Sequence, residues 1–273
     1  MVWTIPMPAS TFTRALAALP LVATAFVASA PTASANGINV PAPRDPVYVA
    51  PVPDRAFPSV FGVNSAIPPV GGTGYIAGTY VNPREGIPGA DSDGEISIGY
   101  TFGNPIDGLS FSIGANITGL EPLGDSGNFD LSIARAIQVS DTAMTFIGAS
   151  AGGIGAFGTA TVDEEAYSLY ISHLTDVGLG ASRMPIQVTV GYSDHIERAT
   201  DGSGQIDEGF FYGIGLGVSP NMSLSVSGTE TQYNLGGTVT FDAVPGFSLS
   251  GGVYDVTDLT NRQQVSLTAA FSF

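Results

Sequence analysis

Cysteine is absent from the chain, which excludes disulfide staples, thiolate metal sites and a lipidated-cysteine anchor. Lysine is absent too: the 8 basic residues are all arginine and face 24 acids, for a net charge of −16. A field of that sign repels phosphate and argues against nucleic acid as a partner. Histidine occurs only twice, as His173 and His195, which leaves little material for proton-transfer chemistry. Charged residues make up just 12% of the chain, yet no run beyond residue 35 is long and apolar enough to form a membrane-spanning helix. What is present is 36 glycines, abundant serine and threonine, and 44% hydrophobic residues. Hydrophobicity on that scale without long runs must be dispersed through the sequence.

The first 35 residues read as a secretory signal peptide. Arg14 is the only charge before Arg44; the apolar run Ala15 to Ala30 follows it, then Thr32-Ala33-Ser34-Ala35 with cleavage expected after Ala35. An uncleaved anchor is disfavoured because the run contains Pro20 and is shorter than the ~20 residues that span a bilayer. Residues 36–72 are proline-rich, from Pro41 to Pro69. Proline fixes φ and removes a ladder donor, so an extended periplasmic linker is the leading expectation for this segment. A plug folded into the following domain, anchored by Phe57, Val60, Phe61 and Val63, is the other.

From Thr73 onward the pattern has a period of two. Val265, Leu267, Ala269, Phe271 and Phe273 share one face of the last segment, with Ser266, Thr268, Ala270 and Ser272 on the other. Ile96, Ile98, Tyr100 and Phe102 repeat the arrangement, as do Ile186, Val188, Val190 and Tyr192, and Phe210, Tyr212, Ile214, Leu216 and Val218. Twelve candidate strands emerge, near 73–81, 94–102, 109–118, 127–138, 142–151, 165–174, 184–193, 208–218, 222–231, 234–243, 246–255 and 264–273. Ten or fourteen remain open, because the fifth segment is ambiguous and 174–183 is long for a turn. Connections after even-numbered strands are mostly short and those after odd-numbered strands mostly longer.

Together these features predict an all-β, transmembrane, antiparallel up-and-down barrel of about twelve strands at 73–273, with a Pro-rich N-terminal extension. The chain resembles porin-like outer-membrane barrels of bacteria: a signal peptide, alternating strands, short turns on one side, and a final strand ending in Phe273. The resemblance implies an outer-membrane location and lipid around the barrel. It also implies that Phe271 and Phe273 act as an assembly signal read by the barrel-assembly machinery. Aromatic residues sort to both strand ends, with Phe102, Phe111, Phe241 and Phe247 at the turn side and Phe129, Tyr167, Tyr192 and Phe210 at the loop side.

Most acids fall on the long-loop side. Asp163, Glu164, Glu165, Asp194, Glu197, Asp255 and Asp258 are the candidate residues of an anionic pore mouth. Inward faces carry Ser97, Gly99, Thr101, Ser112, Gly213, Gly215, Gly217, Ser223, Ser225, Ser227, Gly236 and Gly252, which are too small to fill a barrel of this width. Either water or a plug must occupy it. The leading function is a diffusion channel for small hydrophilic solutes, weakly cation-selective through its acidic mouth. The alternative is a closed barrel serving as a surface anchor, adhesin or envelope-structural protein.

Two acidic loops are candidates for hard cations such as Ca²⁺ or Mg²⁺, through Asp91, Asp93 and Glu95 in one and Asp201, Asp207 and Glu208 in the other. Solvated acidic loops are the plainer reading. No other cofactor is expected. Catalysis is not expected either: the histidines lie at opposite rims, Asp194 and His195 are strand neighbours that should diverge, and Gly213-x-Gly215-x-Gly217 is not followed by a helix pattern.

Overall fold

The computed structural model describes residues 56–83, 85, 92–118, 124–158, 160, 165–179, 182–198 and 206–273. The expected signal peptide and the stretch 36–55 lie outside the described residues. Twelve strands are present: β1 (Gly74–Val81), β2 (Asp93–Gly103), β3 (Ser110–Thr118), β4 (Gly127–Val139), β5 (Ala143–Phe157), β6 (Ala166–Leu179), β7 (Ser182–Arg198), β8 (Ile206–Ser219), β9 (Met222–Gly228), β10 (Tyr233–Thr240), β11 (Phe247–Tyr254) and β12 (Gln264–Ser272). Each pairs antiparallel with its sequence neighbours, and β1 pairs with β12 to close the barrel. Closure satisfies every strand edge, which a sheet surrounded by hydrocarbon requires.

The period of two decides which way each residue points. Ile98, Ile113, Val190, Ile214, Leu235 and Leu267 face outward and remain about half exposed. Their partners in alternation, Thr101, Ser110, Thr189, Ser225 and Ser266, face inward and are buried. A water-soluble sheet would do the reverse. Large apolar side chains on the outside of a closed barrel belong against lipid. Aromatic pairs mark both rims: Phe102–Phe111 (centroids 6.0 Å apart) and Phe241–Phe247 (5.4 Å) on the turn side, Tyr192–Phe210 (5.1 Å) on the loop side.

One expectation about the strands requires correction. The stretch 174–183 is not a long connection: β6 continues to Leu179, β7 starts at Ser182, and these two residues are register partners. Alternation simply carries on, with Asp176 opposite Pro185 and Val177 opposite Met184. The connection shrinks to two residues, so β6 and β7 form a ribbon that continues past the Ala143–Thr175 pair, where β5 begins. Strands β5, β7 and β8 also run further towards the loop side than the pattern suggests, while β9 stops sooner there and β10 stops sooner at its turn end.

The seam between β1 and β12 pairs Tyr75 to Val81 with Ser272 to Ser266, and the last residue completes it. Gly74 N–H donates to the Phe273 carbonyl (2.8 Å) and Phe273 N–H donates back to the Gly74 carbonyl (2.9 Å). The Phe273 ring lies over Gly74, where a Cβ would sit 2.6 Å from it. Phe271 stacks on Phe273 at 6.4 Å along the same rim.

Candidate functional site: the lumen and its acidic rim

The lumen has two unlike walls. On β5 to β8, the inward residues Met144, Phe146, Tyr170, Leu174 and Phe211 form a buried apolar cluster, with Tyr170 and Phe211 rings 6.2 Å apart. Gly191 makes room for it, since a Cβ there would lie 2.3 Å from the Phe211 ring. Elsewhere the wall is small and polar apart from Tyr75 on β1, whose ring lies over Gly99, and Tyr254 on β11. Pattern reading misses this cluster because Phe210-Phe211-Tyr212 is apolar throughout, and Phe210 and Tyr212 point outward.

Residues 56–72 occupy the space inside. The segment enters at the turn rim, where Ala56 N–H donates to the Ser219 carbonyl (2.6 Å). It then climbs the β8–β10 wall in step with alternate residues of β9. Ser59 Oγ lies 3.2 Å from Ser223 Oγ and 3.0 Å from Thr238 Oγ1; Phe61 N–H donates to Ser225 Oγ (3.0 Å), and Ser227 donates to the Phe61 carbonyl. At the apex, Gly62 takes φ +80°, a conformation that favours glycine. From there the segment descends past β5–β7: Asn64 Nδ2 donates to Ser150 and Ser168, Gln187 donates to Ser65 Oγ (2.6 Å), and Ala66 N–H donates to Ser172 Oγ (2.8 Å). It leaves by the same rim, where Gly72 N–H meets the Thr101 carbonyl (2.7 Å), and continues into β1.

Glycines in the wall make this seat possible. A Cβ on Gly213 would come within 2.3 Å of Val60, on Gly215 within 2.2 Å of the Ser59 carbonyl, on Gly217 within 2.1 Å of the Ala56 carbonyl, and on Gly236 within 2.4 Å of Phe61. Phe61 also covers Gly252 and packs 4.7 Å from Tyr254. Four backbone surfaces have thus been cleared for one strip of chain. Of the residues expected as anchors, Val60, Phe61 and Val63 touch the wall, and Phe57 is exposed.

The opposite wall, on β11, β12, β1 and β2, is less covered. Ala77, Thr79, Ser97, Ser250, Thr268 and Ala270 face inward and stay part-exposed. Glu95 continues this face towards the loop rim and accepts a hydrogen bond from Ser97 Oγ (2.5 Å). Asp130 faces the lumen from β4, held by Asn116 Nδ2 (2.5 Å) and the Gly153 N–H (3.2 Å). Neither placement could be told from loop acids by composition; the strand parity of Glu95 with Ser97 was the available signal.

The expected mouth residues scatter. Glu165 is exposed and accepts from the Tyr167 hydroxyl (2.5 Å). Asp194 accepts from the Tyr167 N–H (2.6 Å) and approaches His195 Nδ1 to 3.6 Å, because the β7–β8 register is irregular between Ser193 and Glu197. This departs from the expected divergence of the two side chains. His173 is elsewhere, bonded to Thr145 Oγ1 (2.9 Å). Glu197 lies in β7 opposite Asp207, and Asp258 is exposed at a positive φ of 51°. Asp255 does not line a mouth. It is fully buried, and its carboxylate accepts from Leu259 N–H, Thr260 N–H and Thr260 Oγ1 (3.0, 2.9 and 2.6 Å), shaping the β11–β12 loop from within. Asp163 and Glu164 lie outside the described residues.

The cation candidates divide the same way. Asp91 and Asp201 fall outside the described residues; Asp93 accepts from Gly94 N–H (2.7 Å) and Asp207 from Glu208 N–H (2.9 Å). Among the described residues, no three carboxylates or imidazoles converge as a metal site.

A closed sheet, apolar outside, polar inside and ringed by aromatics at both rims decides the architecture. This is a closed twelve-stranded β-barrel of the membrane-spanning kind. No family model matches the sequence. No curated protein matches it either. Among solved structures, the chain is similar to the outer membrane protein Omp33 of Acinetobacter baumannii, with 11% identity over 74% of this chain and 98% of that one and a TM-score of 0.46. The NanC porin (11% identity, 73% and 98%, TM-score 0.47) and the KdgM porin (10%, 73% and 99%, 0.47) are similar to the same extent. Likeness at this level describes a shape and says nothing about a solute.

Proposed function

We propose that the barrel is an outer-membrane channel for small hydrophilic solutes, with a weak preference for cations. The observation that carries this reading is the part-exposed wall of Ala77, Thr79, Ser97, Thr268 and Ala270, which is polar or small beyond the Tyr75 ring. Uncharged walls of this kind let hydrated solutes pass without binding them, and carboxylates at the outer end raise the local cation concentration. The preference should fade as salt screens it. The strand ending in Phe273 supports recognition by the barrel-assembly machinery, and Asp93, Glu95, Asp207 and Glu208 support occasional Ca²⁺ or Mg²⁺ binding at the rim. No catalytic activity is proposed.

The test is single-channel recording from the protein reconstituted in a planar bilayer under a salt gradient. Discrete steps with a cation-selective reversal potential are expected. One observation favours a second reading, a closed barrel acting as an anchor: residues 56–72 lie inside the lumen. Protein shown to be folded and inserted that passes no current establishes that reading instead.

A further inference from the structure

We infer that residues 56–72 are a permanent filling of the lumen that confines permeation to a slot along the β11–β12–β1–β2 wall, with Glu95 as the cation-selecting residue at the slot's outer end. The inference rests on the channel reading and refines it by naming the path. Two walls of one barrel differ in a way their sequence does not require. Ser223, Ser225 and Ser227 on β9 are 1–3% exposed because the segment lies on them; at the seam wall Thr101 and Ser266 are buried too, but Thr79, Thr268 and Ala270 between them are part-exposed. On β12, β1 and β2 the seam wall is otherwise small, with Tyr75 its one large inward ring, laid over Gly99. On the filled wall, side chains are absent at Gly213, Gly215, Gly217 and Gly236, where a Cβ would obstruct the segment, whereas on the seam wall Gly99 is cleared for that wall's own Tyr75, 2.4 Å from where its Cβ would sit.

Hydrogen bonding fixes the segment along its length. Ser59, Phe61, Asn64, Ser65 and Ala66 are each bonded to a lumen hydroxyl or amide, on β5, β6, β7, β9 and β10. A stopper made to leave would gain little from bonds spaced along both of its limbs. A solute crossing the barrel must therefore pass between this filling and the seam. From the turn side it passes the Tyr75 ring over Gly99, then Ala77 and Ser97, then Thr79 level with the Glu95 carboxylate, which is part-exposed and the only charge on that inward face of β2 between Glu95 and Thr101. A carboxylate inside a narrow slot is screened less than one on an open rim. It should set selectivity more strongly than the exposed loop acids.

The chain has no native cysteine, so thiol placement can be read without background. Ala77→Cys and Ser225→Cys are prepared in the full chain, reconstituted, and treated with a charged, membrane-impermeant thiol reagent. Ala77→Cys is expected to label quickly and to reduce the current; Ser225→Cys is expected to resist labelling. Equal labelling at both sites overturns the filling. Ser59→Cys/Thr238→Cys, whose hydroxyls lie 3.0 Å apart, locks the segment on oxidation. Current unchanged by the lock is expected; current lost on oxidation and restored by reduction means that the segment must move, and overturns a permanent filling. Glu95→Gln is expected to bring the reversal potential towards zero while conductance persists, and an unchanged potential overturns its role. If the inserted protein passes no current at all, the channel reading fails and the slot with it. Labelling then still decides whether residues 56–72 are seated.

Discussion

Gly236→Ala should loosen the lumen segment without touching the barrel. The new methyl would sit 2.4 Å from both Cβ and Cγ of Phe61, too close for either to stay. These are the root atoms of the side chain, so a rotamer change does not relieve the clash and the backbone of residues 60–62 must shift. Overpacking of this kind costs about 1–3 kcal/mol. The wall cannot yield, because β10 is held by β9 on one side and β11 on the other. The cost therefore falls on the segment's local opening equilibrium. Hydrogen exchange reads that equilibrium directly at two amides, Phe61 N–H on Ser225 Oγ and Ala66 N–H on Ser172 Oγ. Their protection should fall by roughly 5- to 150-fold, the free-energy range restated as an equilibrium ratio. Gly78→Ala is the control: it faces outward on β1 with nothing within 4 Å of its Cβ position, and should leave both amides unchanged. If Gly236→Ala leaves them unchanged as well, the segment does not occupy the seat described.

Depth in the membrane gives a second contrast. Ile214→Arg, between Tyr212 and Leu216 on the outward face of β8, should cost about 2–4 kcal/mol in vesicle unfolding; Ile206→Arg at the outer rim should cost about 1 kcal/mol or less. Equal costs would contradict the lipid-facing assignment. Asp255→Ala removes the acceptor for three donors of the β11–β12 loop, each such charged bond being worth about 1.5–3 kcal/mol. Proteolysis within 256–262 should accelerate while the barrel's melting stays near that of the parent. Ca²⁺ held by the acidic loops should raise the melting temperature at millimolar ion, and an unchanged curve refutes that binding.

Twelve strands were legible because alternation and loop length report independently on the same count, and both survive moderate errors at strand ends. The β6–β7 connection was not, since Thr175-Asp176-Val177-Gly178 alternates only weakly and its two hydrophilic residues resemble a turn. Small inward faces made it clear that something must fill the lumen. That the filling is chain from 56–72 was harder to see: Pro58, Pro68 and Pro69 favour an extended spacer equally well, and an extended strip is also what lies well against a wall. Asp255 failed for a different reason. A loop carboxylate reads as solvated unless its acceptor role is known, and its donors are main-chain N–H groups that no residue type announces.

The lumen segment enters and leaves by one rim, which bears on the order in which the molecule can be built. A strip that passed right through the barrel would have to be threaded before the seam closed, or drawn through afterwards by a free end. A hairpin with both limbs at the same rim needs neither. It can tuck in after β1 and β12 have joined, and no knot is formed at any stage. The arrangement is nevertheless tied to the seam, because Gly72 runs directly into β1. Pairing β1 with β12 thus brings the mouth of the hairpin to the rim it must enter, and the longest-range pairing in the chain prepares its own interior.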